Sequence, residues 1–89
     1  MIPKKVKIGA HKYIIKEVEA TELEEPSCGL TNKEKGIIYL NKNLMQSEKE
    51  STFLHEVLHV MNDQLKHETI ESLSQQLYSF LKDNEVWYT

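Results

Sequence analysis

His55, Glu56 and His59 form the most informative pattern in the sequence, because they follow the spacing H-E-x-x-H. Residues four apart lie one above the other on a helix, so both imidazoles could point at a single ion. Glu56 is rotated by about 100° from His55, since an α-helix has 3.6 residues per turn. That position suits a general base that takes a proton from a metal-bound water. On a helix, the pattern therefore predicts zinc bound by His55 and His59, with Glu56 as the catalytic base.

The pattern needs a helix, and the surrounding sequence predicts one. Ser47 and Glu50 have the spacing of a capping box, in which Ser47 caps the helix N-terminus. The apolar residues that follow at helical spacing are Leu54, Val57, Leu58, Met61 and Leu65. The alternative interpretation is a pair of solvated histidines with an ordinary surface glutamate. It is less favoured, because both histidines border the apolar stripe and partly buried imidazoles need partners.

A catalytic zinc usually has three protein ligands and a water, so a third ligand must come from elsewhere in the fold. A break near Lys66 separates the first helix from a second one, whose apolar residues are Ile70, Leu73, Leu77 and Leu81. On antiparallel helices that reverse there, His59 and Glu71 lie about 10 and 8 Å from the turn. The similar distances of His59 and Glu71 from the turn therefore favour Glu71 as the third ligand. His67 and Glu68 lie nearer the turn and remain alternatives.

The first half of the sequence predicts the strands of a small sheet. Alternation and β-branched residues indicate a hairpin over 6–18, a short strand over 28–31 and a strand over 37–40. We expect an α+β fold, an antiparallel-type sheet of three to four strands followed by an antiparallel pair of helices. The strand over 37–40 is the candidate edge for pairing with an extended peptide, unless it is internal. Cys28 is expected to be a small buried hydrophobe.

Composition limits the class of protein. The 89 residues allow one small domain, taken as 1–89. The net charge is −3 and every basic residue is a lysine, so nucleic-acid binding is not expected. No apolar run approaches the roughly 20 residues that span a bilayer, so no membrane partner is expected. A single cysteine and an N-terminus without a signal-like apolar stretch predict a cytoplasmic protein.

The chain resembles the small phage and prophage HExxH metallopeptidase-like proteins, which are relatives of the ImmA/IrrE-type gluzincin peptidases. The resemblance is carried by residues 52–60, which contain the H-E-x-x-H pattern, and by Glu71 followed three residues later by Ser74. It implies a minimal zincin-like fold and zinc-dependent hydrolysis of a peptide or protein substrate. It also implies Glu71 as the third zinc ligand, beside His55 and His59.

Two functions compete at this point. The leading hypothesis is a zinc metallopeptidase in which Glu56 takes the proton of the water and returns it to the leaving amine. Tyr78 and His67 are the candidates for stabilising the oxyanion. The alternative is a zinc-binding, non-catalytic protein-interaction module of phage or prophage origin, because so short a chain leaves a shallow cleft. Glu56 favours the enzyme, since a structural zinc site has four protein ligands and no use for an acid beside them.

Overall fold

The computed structural model describes residues 2–19, 21, 23 and 28–86, which form four β-strands followed by two α-helices. In chain order these are β1 (Lys5–Ile8), β2 (His11–Val18), β3 (Gly29–Asn32), β4 (Ile37–Asn41), α1 (Gln46–Met61) and α2 (His67–Asp83). The predicted α+β class and the order of strands before helices are confirmed. Neither helix has both the length and the apolar character needed to cross a lipid bilayer.

The sheet is mixed, so the prediction of an antiparallel-type sheet is wrong in one pairing. The strand order is β1-β2-β4-β3, and the outer pairs β1/β2 and β3/β4 are antiparallel. The central pair β2/β4 is parallel, with Ile14 opposite Ile37 and Val18 opposite Asn41. The reason is that β3 and β4 form a second hairpin, and this hairpin pairs with β2 through β4. The chain between β2 and β4 contains β3 and is long enough for the crossover that a parallel pair requires.

The strand that precedes α1 is internal, which corrects the prediction that it is an exposed edge. β4 is paired with β2 on one side and with β3 on the other, so β3, and not β4, is an edge strand, and it lies against α1. Gly29 lets β3 lie close to the helix. A Cβ there would lie 2.9 Å from both the Thr52 Cγ2 atom and the Tyr39 carbonyl oxygen. The small residue therefore brings the edge strand against the helix that carries the H-E-x-x-H pattern.

The core lies between the sheet and α1. Its buried apolar cluster consists of Ile8, Tyr13, Ile38, Leu40 and Phe53. Val57 and Val60 of α1 are partly buried against this cluster. Because Phe53, Val57 and Val60 recur every three or four residues, they fix one face of α1 on the sheet. The neighbouring face, which holds the two histidines, is directed toward β3 and α2.

The N-terminus of α1 does not use the predicted capping box. The helix begins at Gln46, and its N-cap residue, Met45, makes no side-chain capping hydrogen bond. Glu50 is only 2% exposed and faces α2, where its Oε1 atom accepts a hydrogen bond of 2.7 Å from the Tyr78 hydroxyl. Lys82 lies 3.8 Å from the same oxygen. Glu50 thus joins the two helices instead of turning back to the helix end.

The two helices are antiparallel, as predicted, because Glu50 near the start of α1 meets Tyr78 near the end of α2. The face of α2 that is turned inward differs from the expected apolar stripe. Ile70 and Ser74 are buried, whereas Leu73 and Leu77 are exposed together with Phe80. The inward face therefore includes a serine and a tyrosine, and an apolar row remains on the outer face.

Candidate metal centre

The two histidines of the pattern converge on the face of α1 that is turned toward α2. His55 Nε2 and His59 Nε2 are 3.0 Å apart, and the ring centroids are 4.6 Å apart. Two nitrogen ligands that each lie about 2.0 Å from a tetrahedral zinc ion are about 3.3 Å from one another. The pair of nitrogens is therefore close to the spacing of two ligands of one ion, as expected for residues four apart on a helix.

His67, the first residue of α2, completes a cluster of three imidazoles. Ring nitrogens of His55, His59 and His67 all lie within 4.8 Å of one another. The His67 ring centroid is 4.9 Å from that of His55 and 5.8 Å from that of His59. His55 is buried, His59 is half-buried and His67 is exposed. The cluster is therefore anchored in the protein on one side and open to solvent on the other.

Glu71 meets His55 from the side that faces away from His59. Its Oε2 atom is 3.1 Å from His55 Nδ1 and 3.9 Å from His67 Nε2. Its Oε1 atom accepts a hydrogen bond of 2.9 Å from Gln75 Nε2. Glu71, which we predicted as a ligand, thus lies at the cluster through its contacts with imidazoles. Asp63, four residues beyond His59 in the sequence, lies after the end of α1 and is paired with Lys33 at 3.2 Å.

Glu56, the predicted general base, is buried and lies in the same cleft. Its Oε1 atom accepts a hydrogen bond of 2.7 Å from the Thr31 hydroxyl on β3. The cleft is lined by Cys28, Gly29, Ser51, Thr52, His55, Glu56, His67, Glu71 and Ser74. The carboxylates of Glu56 and Glu71 and two of the three imidazoles therefore face one open space between β3 and the helix pair. This arrangement brings a potential base and potential metal ligands together.

The environment of His55 favours its neutral form. Burial is the main cause that lowers the pKa of the His55 imidazole, and the charge of Glu56 is the largest effect that opposes it. The neighbouring His59 and His67 lower this pKa further, while Glu71 raises it. A metal ligand must be an unprotonated imidazole, so a lowered pKa keeps His55 ready to bind a cation at neutral pH.

Two other sequence-based expectations are not met at the cleft. Tyr78, considered as an oxyanion donor, is hydrogen-bonded to Glu50 at the other end of the helix pair. Burial, followed by the hydrogen bond to Glu50, raises the pKa of Tyr78 to about 12. Cys28, expected to be buried, is exposed at the rim of the cleft. The contact between Thr31 and Glu56 was not foreseen, because no local pattern links residues so distant in the sequence.

Known proteins provide no further information about this site. No protein-family model, curated protein or solved structure matches the chain. The resemblance to the phage and prophage peptidases therefore stays a prediction from the sequence.

Proposed function

We propose that the protein is a zinc-dependent metallopeptidase of the H-E-x-x-H type, with Glu56 as general base. The observation that carries this proposal is the meeting of His55 and His67, two members of the histidine cluster, with the buried Glu56 carboxylate in one cleft. Imidazole nitrogens are favoured zinc ligands, and a catalytic site has three protein ligands with a fourth position open. His55 and His59 supply two of these ligands in our proposal, and α2 supplies the third.

The donor set fits zinc in three respects. The nitrogens of His55 and His59 have nearly the separation expected for two zinc ligands. The lowered pKa of His55 favours the unprotonated form that binds metal. The exposure of His67 leaves the cluster open on its outer side, where a substrate could enter. Zinc bound there would lower the pKa of its water toward about 7 and polarise the scissile carbonyl.

The roles of the protein groups follow from their positions. The Thr31 hydroxyl holds Glu56 Oε1, so Oε2 is the oxygen that would accept the proton of the attacking water. The same carboxyl group would then donate this proton to the nitrogen of the leaving amine. The buried position of Glu56 limits the number of orientations that its side chain can adopt. The base is thereby held ready beside the histidines.

We propose an extended peptide, within a peptide or protein substrate, as the molecule that is cleaved. β3 is one of the two edge strands, and the cleft lies between its first residues and α1. A peptide that paired with this edge would lie along the cleft, since edge strands can bind an added strand through main-chain hydrogen bonds. We therefore propose β3 as the strand that binds the substrate, in place of the strand over 37–40 that the sequence predicts.

We also propose that the protein works in the cytoplasm, the host cytosol if it is encoded by a phage. Its one cysteine, Cys28, is exposed and has no second cysteine in the sequence to pair with. Exposed unpaired thiols suit a reducing compartment, in which disulfides are rare. We propose no nucleic-acid partner, because the chain is acidic and contains no arginine.

The first test separates metal binding from hydrolysis. Glu56→Gln should retain bound zinc and lose at least about 100-fold in kcat, because general-base catalysis contributes roughly that much. His59→Ala should lose both zinc and activity. Zinc is measured by elemental analysis of the purified protein, and hydrolysis with a library of quenched fluorescent peptides. Glu48→Gln, an exposed position in the first turn of α1, is the matched control and should leave both unchanged. Unchanged kcat in Glu56→Gln would contradict the assignment of the base.

The alternative function is a zinc-binding interaction module without turnover. The outer face of α2 favours it, since Leu73, Leu77 and Phe80 form an exposed apolar row at helical spacing. Such a row is a common docking surface for a partner helix. A wild-type protein that binds zinc and cleaves no peptide in the library would support this alternative over the peptidase.

A further inference from the structure

We infer that the third ligand of the proposed zinc site is His67, and that Glu71 is a positioning residue that holds His55. This inference rests on the proposed function, because it assigns parts within the same zinc site. It differs from the ligand set that the sequence favours, in which Glu71 binds the metal. The two nitrogens of His55 face different neighbours, and this difference separates the roles of His67 and Glu71.

The two ring nitrogens of His55 have different neighbours. Nε2 is 3.0 Å from His59 Nε2, and Nδ1 is 3.1 Å from the Oε2 atom of Glu71. The two nitrogens of an imidazole point away from each other. An ion shared by the Nε2 atoms of His55 and His59 therefore lies on the side of the ring opposite to Glu71. A carboxylate at the far nitrogen of a ligating histidine fixes its tautomer and ring orientation, and this is the part that Glu71 plays.

The second oxygen of Glu71 is also engaged within the protein. Oε1 accepts the hydrogen bond from Gln75 Nε2, one turn further along α2. The carboxylate is therefore held from two sides, by Gln75 and by His55. Ligation of an ion at His55 Nε2 would require the Glu71 carboxylate to leave its position beside His55 Nδ1. His67 requires no such loss, because its ring nitrogens already lie with those of His55 and His59.

The position of His67 at the start of α2 explains how it reaches the cluster. The sequence predicts helices that stay in contact down to a reversal near Lys66, and this would place His67 nearer the turn than His59 and Glu71. α1 ends at Met61, and α2 begins at His67. His59 is therefore only about 3 Å from the end of α1 along the helix axis, at a rise of 1.5 Å per residue. The first residue of α2 and the last turn of α1 consequently lie at the same height.

The decisive experiment counts the imidazoles on bound zinc by X-ray absorption spectroscopy of the loaded protein. The wild type should show three imidazoles, His67→Ala two, and Glu71→Ala three. His67→Ala should fold, because this side chain is 69% exposed. Zinc affinity, measured by competition with a chelating indicator, should fall about 10- to 100-fold in Glu71→Ala, as for other residues that orient a ligand. Glu71→Gln should restore part of it, since its amide oxygen can still accept from His55 Nδ1.

The controls and outcomes separate this inference from the proposed function. His11→Ala and Glu34→Gln, at exposed positions outside the cleft, should change neither the imidazole count nor the affinity. A wild type that binds no zinc would overturn the proposed function. A wild type that binds zinc with two imidazoles, a count that is unchanged in His67→Ala, would overturn this inference and leave the zinc site standing with Glu71 as ligand.

Discussion

Glu56 is oriented by a hydroxyl group of the sheet, although it belongs to a helix. Thr31 lies on β3, and its hydroxyl donates to Glu56 Oε1 at 2.7 Å. A hydrogen bond to a charged group contributes about 1.5 to 3 kcal/mol. The direction of the proposed base therefore depends on the edge strand as well as on α1. Any displacement of β3 relative to the helix would change the orientation of this carboxylate.

Thr31→Val should lower kcat by about 10-fold and leave bound zinc unchanged. The branched shape is kept while the donor is lost, and a loss of about 1.4 kcal/mol in the transition state corresponds to that factor. Thr31→Ser should restore most of the rate, because it retains the hydroxyl. The measurement is kcat and KM on the best peptide of the library, with zinc content determined in parallel. An equal kcat in wild type and Thr31→Val would show that this hydrogen bond has no part in the reaction.

The sequence predicts part of the site and not the rest, for a physical reason. His55, Glu56 and His59 lie on one helix, so their relative positions follow from helical geometry alone. Glu71 and His67 lie across a helix hairpin, where the end of α1 and the start of α2 decide which one reaches the cluster. Thr31 reaches Glu56 through tertiary packing, which no spacing in the sequence reveals.

At the scale of the elements, Glu50 and Tyr78 join the open end of the helix pair. Glu50 is almost completely buried, and burial of an ionised carboxylate is costly unless it is hydrogen-bonded or paired. The Tyr78 hydroxyl, the amide of Gln46 and the ammonium group of Lys82 surround it. These contacts also explain why the capping box was a wrong prediction. The same glutamate is used between helices and is not available at the helix end.

Tyr78→Phe should destabilise the protein by about 1 to 3 kcal/mol, because it removes a donor from a buried carboxylate. The pKa of Tyr78 is raised to about 12 in the fold, against about 10 in an unfolded chain. The folded state therefore holds this proton more tightly, and the corresponding stability is present below pH 10. It is lost as the pH rises from 10 to 12.

Urea unfolding of wild type and Tyr78→Phe at a series of pH values measures this effect. The difference in the free energy of unfolding should be constant up to about pH 10 and then become smaller. The comparison cancels the titration of the lysines, which both proteins share. A difference that stays constant up to pH 12 would show that the phenol is not held by Glu50.

As in the site, some features of the sheet follow from the local sequence, and others depend on tertiary packing. The hairpin over 6–18 follows from alternation and is present in the fold, and the strands predicted over 28–31 and 37–40 are present and pair as a second hairpin. The parallel contact between β2 and β4 joins the two hairpins and depends on which strand of the second hairpin docks. Only the packing of the whole sheet on α1 settles this choice. The edge strand beside the cleft was therefore assigned to the wrong segment.

At the scale of the whole molecule, zinc should stabilise the fold as a ligand of the native state. The proposed ligands lie on two helices, and an unfolded chain does not hold them together. Free zinc at about 100 times its Kd should raise the free energy of unfolding by about 2.7 kcal/mol. The gain should shrink at acidic pH, because protons compete with zinc for the imidazoles.

Thermal unfolding between pH 5 and 8, with and without zinc, measures this linkage. Mg²⁺ is the control cation, since it prefers oxygen ligands and should give no shift. His59→Ala should remove the zinc-dependent shift in Tm. A shift of equal size in His59→Ala would place the bound zinc elsewhere on the protein.

The three clustered histidines and Glu71 all lie within the continuous stretch 55–71, which contains the end of α1, the short connection and the start of α2. The residues that would bind a cation or orient its ligands thus lie in one short continuous segment of the chain. The Thr31 hydroxyl, which orients Glu56, belongs to β3, which is distant in the sequence. Insertion of this segment into another helical hairpin would transfer metal binding alone. Transfer of hydrolysis would also require a strand that supplies a hydroxyl group in the position of Thr31.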